Sequence, residues 1–163
     1  MRAAGERVRS CRPVPELFAR EHHPRRGTNH RHIHRPHFLH AAAWASSLQA
    51  RTNGTNREVR AAPFGTHIGH YVVHFANGDR HDVPIIHGQD VREWWHWRES
   101  LPDPKELVVA WTGTNAANRA ANASVRLFKS SWKNPHPEVE ITSIDFISAL
   151  KKPAPFLIAI TTE

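Results

Sequence analysis

Residues 68–86 read IGHYVVHFANGDRHDVPII and predict a β-hairpin. Apolar and polar residues alternate along the first half, which is the period of a strand with one face in a core. An Asn-Gly turn follows, and a second apolar segment returns. A three-residue loop with Gly78 in the left-handed conformation pairs Tyr71 with Val83 and keeps apolar residues on one face. We prefer this register to a two-residue loop, which would place charge on that face.

Outward from this hairpin, the sequence predicts further short strands and little helix. Leu107–Thr112 and Phe156–Thr161 are apolar on both faces, which is typical of central strands, and Trp111 is expected in the core. The apolar parity shifts near Thr142-Ser143, which predicts a bulge. The only helical stretch predicted is Asp90–Arg98, with a loop or short turn at residues 116–122. Such a pattern favours an all-β, antiparallel β-sandwich of jelly-roll-like form.

The N-terminal residues 1–37 form a separate segment rich in Arg, His and Pro. Residues 1–60 hold 12 Arg and only four Glu, whereas residues 61–163 carry a net charge of −1. Residues 1–37 offer little apolar area to bury, so we expect a disordered basic arm that makes weak, non-specific nucleic-acid contacts. A solvated tail and the product of a misassigned start site or reading frame are the alternatives.

Residues 38–66 join this arm to the body at 67–163. The first stretch able to pack is Phe38–Trp44, and residues 45–66 read as a long loop because Ser, Asn, Thr, Gly and Arg dominate them. The histidines of residues 30–40 could take up metal adventitiously, but nothing fixes their geometry, so no metal site and no cofactor are predicted.

Several classes of protein find no support in the sequence. The single cysteine, Cys11, lies in the arm and offers neither a disulfide framework nor a catalytic thiol. Phosphate-binding glycine loops and the serine hydrolase motif G-x-S-x-G do not occur. The sequence shows no signal-peptide core and no membrane-spanning run, and it does not predict the cellular compartment.

Carboxylates and histidines of the body offer only weak catalytic candidates. Asp90 is expected to cap a turn, and Glu93 to be solvated or paired with Arg92 or Arg98 rather than to form a glycosidase pair with Asp90. Asp145 is expected to be a buried acid bonded to a loop. His70 and His74 share a strand face, where an ordinary polar surface is favoured over a metal site. We therefore expect no enzyme activity.

The tryptophans carry the main functional hint. Trp94, Trp95 and Trp97 fall within four residues of one another, and indole faces complement the C–H faces of sugars. Asp90 and Arg92 could bind hydroxyl groups beside them. Adjacent side chains cannot all point inwards, so one of Trp94 and Trp95 should anchor in the core and another indole should be partly exposed. The alternative is that the indoles fill or cover the core.

Several segments together resemble uncharacterised bacterial β-sandwich modules of galactose-binding-like or jelly-roll type, found at the C-termini of larger proteins. The resemblance covers about residues 38–163 and rests on Phe38–Ala42, Ile68–Gly78, Val83-Pro84-Ile85, Gly88–Trp95, Ala110–Asn115, Asn134–Pro137 and Pro155–Thr161. Relative to that pattern, strands before Phe38 are missing and residues 45–66 are inserted. The resemblance implies a sandwich fold and an accessory, non-catalytic role.

The sequence therefore predicts a non-catalytic accessory module that binds a ligand, with carbohydrate as the candidate ligand. The alternative is a structural or protein-interaction domain that packs against a neighbouring domain and takes no small molecule. A cleft with an exposed indole would favour the first hypothesis, and a broad apolar face would favour the second.

Overall fold

A computed structural model of the chain describes residues 32–98 and 100–163. Within them the elements follow in the order β1 (Pro36–Ala43), β2 (Ser46–Ala50), β3 (Asn56–Arg60), β4 (His67–Phe75), β5 (Arg80–Ile86), β6 (Trp95–Trp97), β7 (Val108–Gly113), α1 (Ala116–Ala120), β8 (Ala123–Ser131), β9 (Ile141–Ser148) and β10 (Ala154–Thr162).

Two antiparallel sheets form a β-sandwich, so the predicted all-β class is confirmed. One sheet has the order β10-β1-β8-β6, with β7 also paired to β8, and the other has the order β5-β4-β9. Aromatic rings join the two sheets in the core, where Phe38 of β1 stacks on Tyr71 of β4 with centroids 4.0 Å apart. Both residues are fully buried, as are Phe128 of β8 and Ile85 of β5.

The predicted hairpin register is confirmed. Tyr71 pairs with Val83, and Gly78 has a φ of 89°, which a residue with a Cβ adopts only with strain. The predicted bulge in β9 is present as well, because His74 pairs with Ser143 and Phe75 with Ile141, leaving Thr142 unpaired.

Two strands predicted to be central lie at sheet edges. Within residues 32–98 and 100–163, β10 pairs only with β1 and β7 pairs only with β8, so β8 and β1 are the inner strands. Trp111, expected in the core, is 51% exposed and lies against the backbone of Gly113. Apolar residues on both faces of a strand therefore do not establish that the strand is buried. Here β7 pairs with β8 on one side, and among the described residues no strand pairs with its other side.

The predicted loop at residues 45–66 contains a second hairpin. β2 and β3 pair in register from Ser46 and Arg60 to Ala50 and Asn56. The turn between them closes with Gly54 at a φ of 77°. Most residues of β2 and β3 are polar, and several are exposed to solvent. Because they lack the alternation of apolar and polar residues, the sequence did not predict these strands.

The boundaries of the N-terminal segment and of the predicted helix also differ. Residues 1–31 lie outside the described part, but β1 begins at Pro36, and the backbone N–H groups of His34 and Arg35 donate to the carbonyl of Glu163. The arm therefore ends before residue 37. Residues 90–98 are not helical: a turn ends at Asp90, and Trp95–Trp97 form β6. The short turn expected at 116–122 is helix α1.

Candidate functional site

The tryptophan-rich segment forms one wall of a cleft of about 370 Å³. Because side chains alternate along a strand, Trp95 and Trp97 of β6 project to the same side and His96 to the other. The centroids of Trp94 and Trp95 lie 6.3 Å apart, and those of Trp95 and Trp97 lie 6.1 Å apart. The cleft, called the tryptophan cleft below, is lined by Ala43, Trp44, Ser46, Ser47, Glu93, Trp94, Trp95 and Trp97.

The three indoles of this segment are all partly buried, and they differ in what they contact. Trp94 packs against the buried core and meets Phe156 edge-on, with centroids 5.8 Å apart. Trp95 and Trp97 are also partly buried, so none of the three is fully exposed. Trp94 thus comes closest to the expected core anchor, and Trp95 and Trp97 keep the partial exposure expected of the other indoles.

Trp44 supplies the exposed indole that the sequence analysis did not single out. It is 70% exposed, lies between β1 and β2, and has a φ of 56°. Strand parity would place its side chain with Phe38 and His40 on the buried face of β1, but the left-handed backbone turns it outwards. No glycine or asparagine marks this turn, so the sequence carried no signal for it.

Asp90 and Arg92, predicted as ligand-binding residues, are not brought to the tryptophan cleft. Arg92 is buried, and its guanidinium pairs with Glu58 at 2.8 Å and with Asp103 at 2.6 Å. Asp103 also pairs with Arg126. Asp90 accepts a hydrogen bond from the backbone N–H of Ile86 at 2.7 Å, so it closes the turn that ends at Asp90 and does not cap a helical turn that begins there.

The ion pairs hold the second hairpin against the sandwich. Glu58 lies on β3, whereas Arg92 follows the first hairpin, so their contact joins segments distant in sequence. Burial alone would raise the pKa of Glu58, but the N–H of Leu101 and the charge of Arg92 outweigh it, and the pKa is lowered. Glu58 is therefore held as a carboxylate that anchors β3.

Glu93 has a positioning role in the cleft, not the solvated one predicted. Its buried carboxylate accepts hydrogen bonds from the backbone N–H groups of Ala45 at 2.7 Å and Ser46 at 3.1 Å. A third, longer bond comes from the N–H of Trp95. Burial raises the pKa of Glu93, and these N–H groups offset part of the rise. Glu93 thus ties the loop of Trp44 to the start of β6.

A second, more polar cleft of about 260 Å³ lies on the other side of Trp44. We call it the basic cleft; its lining is Trp44, Ser46, Ser47, Gln49, Val59, Arg60, Ala61 and Lys152. The guanidinium of Arg60 lies over the ring of Phe64 at 4.3 Å from the centroid, which restrains it. The exposed indole therefore stands between an aromatic cleft and a cleft lined by amide, hydroxyl and cationic groups.

The acid–base candidates of the sequence lie elsewhere. Asp145, expected to be buried, is exposed and pairs with His74 at 2.9 Å. His40 is buried beside Tyr71, with 2.8 Å between Nδ1 and the phenol oxygen, and burial lowers its pKa to about 4. The described residues contain no group of three His, Cys, Asp or Glu that could hold a metal ion, and no helix among them is long and apolar enough to cross a membrane.

Comparison of the chain with protein-family models, curated proteins and solved structures finds no match. The case for a function therefore rests on the geometry of the two clefts around Trp44.

Proposed function

We propose that this chain is a non-catalytic binding module that holds a carbohydrate against Trp44. The observation that carries the proposal is the 70% exposure of an indole placed between the two clefts. At this exposure, most of the indole surface is in contact with water and not with other side chains of the chain. A sugar ring can cover it with a C–H face. A resemblance to galactose-binding-like modules agrees with this assignment.

The surroundings of Trp44 supply the polar half of a sugar site. Ser47 and Gln49 offer hydroxyl and amide groups, and Arg60 and Lys152 offer charged donors at the same cleft. Small-molecule sites usually combine apolar surface with a small number of precisely placed polar groups. On the opposite side, the partly buried indoles of the tryptophan cleft extend the apolar wall.

The non-catalytic part of the proposal rests on the role of Glu93. It is the carboxylate that lines the tryptophan cleft, and its oxygens already accept backbone N–H groups. A glycosidase needs a pair of carboxyl groups on either side of the scissile bond. Neither cleft places a second carboxylate among its lining residues.

A glycan array combined with tryptophan-fluorescence titration tests this function. The Trp44→Ala variant should lose glycan binding and keep the unfolding midpoint of the parent chain. Trp111→Ala is the matched control, because it removes another exposed indole that lines neither cleft. Retention of binding by Trp44→Ala, or no glycan bound by the parent chain, would overturn the proposal.

A second candidate function, a protein-interaction domain, is favoured by β7. Val108, Val109 and Trp111 are exposed on this edge strand, where backbone groups can pair with an added strand. Sedimentation of the parent chain over a range of concentrations, compared with Val109→Lys, tests it. Association in the parent that the lysine abolishes would support this function, and a monomer in both would count against it.

A further inference from the structure

The basic cleft is lined by two cationic side chains. Arg60 ends β3 and Lys152 precedes β10, and both line the cleft beside Trp44. In the described part of the chain, neither forms an ion pair with an acid. Two like charges at one cleft repel each other, and an anion placed between them would relieve that repulsion.

Two carboxylates adjoin lining residues of the basic cleft, those of Glu58 and Glu93, and both form hydrogen bonds with other groups. Glu58, two residues before Arg60 on β3, accepts from Arg92 and from the N–H of Leu101. Glu93 accepts from the N–H groups of the Trp44 loop. Both carboxylates are buried, so neither is free to reach the cleft. The positive charge of the cleft is therefore presented to solvent.

The two cations differ in how firmly they are held. Arg60 is restrained by its contact with the ring of Phe64, and its planar guanidinium can donate two parallel hydrogen bonds to a carboxylate or a sulfate. Lys152 is an exposed point charge on a flexible stem and can follow the anion. Ser47 and Gln49 remain for uncharged hydroxyl groups.

Resting on the proposed sugar-binding function, we propose that the saccharide is acidic. Its ring covers the indole of Trp44, and its carboxylate or sulfate group lies between Arg60 and Lys152. The shared chemistry is an anionic group carried on a pyranose ring, and it can come from a uronic acid or from a sulfate ester. A neutral sugar would leave both cations unpaired and would bind more weakly.

An array of paired glycans tests the charge requirement with the full chain. Each polyuronate is printed beside its carboxyl-reduced form, and each sulfated polysaccharide beside its desulfated form. The acidic member of a pair should bind about fivefold to tenfold more tightly at low salt, because exposed ion pairs contribute modestly. Binding confined to uronates or to sulfate esters identifies the source of the anion.

Substitutions separate the cleft from the basic N-terminal residues, which every variant retains. Lys152→Gln and Arg60→Gln should lower binding of the acidic member more than binding of its neutral partner, because each removes a charge that only the acidic member can pair. Lys151→Gln is the matched control, since it removes the same charge one residue outside the cleft lining. Trp44→Ala should lose both members of the pair. Unfolding midpoints establish that each variant is folded.

The outcomes distinguish this inference from the function on which it rests. Equal binding of both members of every pair, or a preference that Lys151→Gln lowers as much as Lys152→Gln, overturns the acidic-sugar inference and leaves sugar binding intact. No glycan bound under any condition overturns both.

Discussion

The guanidinium of Arg92 lies 2.8 Å and 3.0 Å from the two carboxylate oxygens of Glu58, and both side chains are almost completely buried. This pair joins β3 to the segment that leads into β6. It therefore fixes the β2–β3 hairpin, and with it the loop of Trp44, relative to the tryptophan cleft.

Removing the Glu58 charge should destabilise the domain strongly. Glu58→Gln leaves Arg92 buried with only part of its compensation, and breaking a buried pair costs about 3–5 kcal/mol. Chemical denaturation measures the loss. Asp145→Asn is the control, because its exposed pair with His74 should contribute less than about 1 kcal/mol. Similar losses in both variants would show that burial does not distinguish the two pairs.

The carboxylate of Glu93 should govern the Trp44 loop. Glu93→Ala leaves the N–H groups of Ala45 and Ser46 without their acceptor, at a cost of about 1–3 kcal/mol for the buried N–H of Ala45 and less for the partly buried N–H of Ser46. Hydrogen exchange at Ala45 and Ser46 should accelerate, and glycan binding should weaken through the mispositioned Trp44. Unchanged exchange at these two amides would contradict the positioning role of Glu93.

His40 should make the domain less stable as the pH falls. Burial lowers its pKa to about 4, with part of the drop offset by the backbone of Asp90, whereas an unfolded histidine titrates near 6.5. Between these values the unfolded chain binds a proton that the folded chain does not, so the free energy of unfolding should drop by about 3 kcal/mol from pH 7 to pH 4.

The raised pKa values of Asp90 and Glu93 act in the opposite direction over the acidic part of this range. The measurement is therefore a difference between the parent chain and His40→Asn, whose amide can replace the Nδ1 contact with Tyr71. The variant should have the flatter pH profile. Parallel profiles would mean that His40 does not control the effect.

The start of β1 sets how far the N-terminus can be shortened. A chain beginning at His32 keeps every described contact. A chain beginning at Phe38 loses the pairing of Pro36 with Thr162 and of His37 with Thr161, together with the His37–Ser131 contact of 2.7 Å. We expect thermal denaturation to show a lower midpoint only for the shorter chain. Equal midpoints would mean that residues 32–37 do not stabilise the fold, as expected if the arm extends to residue 37.

Trp94 and Trp44 should separate stability from binding. Trp94→Ala removes an indole packed on the core and on Phe156, and such a truncation costs about 3–5 kcal/mol. Trp44→Ala removes a largely exposed side chain and should change the free energy of unfolding by less than about 0.5 kcal/mol. Urea denaturation of both variants decides between this division and a uniform structural role for the tryptophans.

Local patterns in the sequence were sufficient for the hairpin, the bulge and the fold class. The alternation before Gly78 determines which residues face the core, and only one register keeps them together. The parity shift at Thr142 in the same way predicts an unpaired residue without reference to any partner strand. Trp94, Trp95 and Trp97, which cluster in the sequence, also line one cleft together.

Whatever depended on contacts between distant segments was decided by the tertiary structure. Apolar residues on both faces of β7 and β10 could not reveal that these strands lie at edges, because strand order is not encoded in periodicity. Arg92 was predicted to bind ligand hydroxyl groups, but the structure buries it against Glu58 and Asp103, which lie far from it in sequence. Trp44 faces outwards because its backbone is left-handed, a conformation held by the Glu93 contacts that follow it. Side-chain periodicity is local, whereas the burial of a charge or the exposure of an indole depends on which segments pack together.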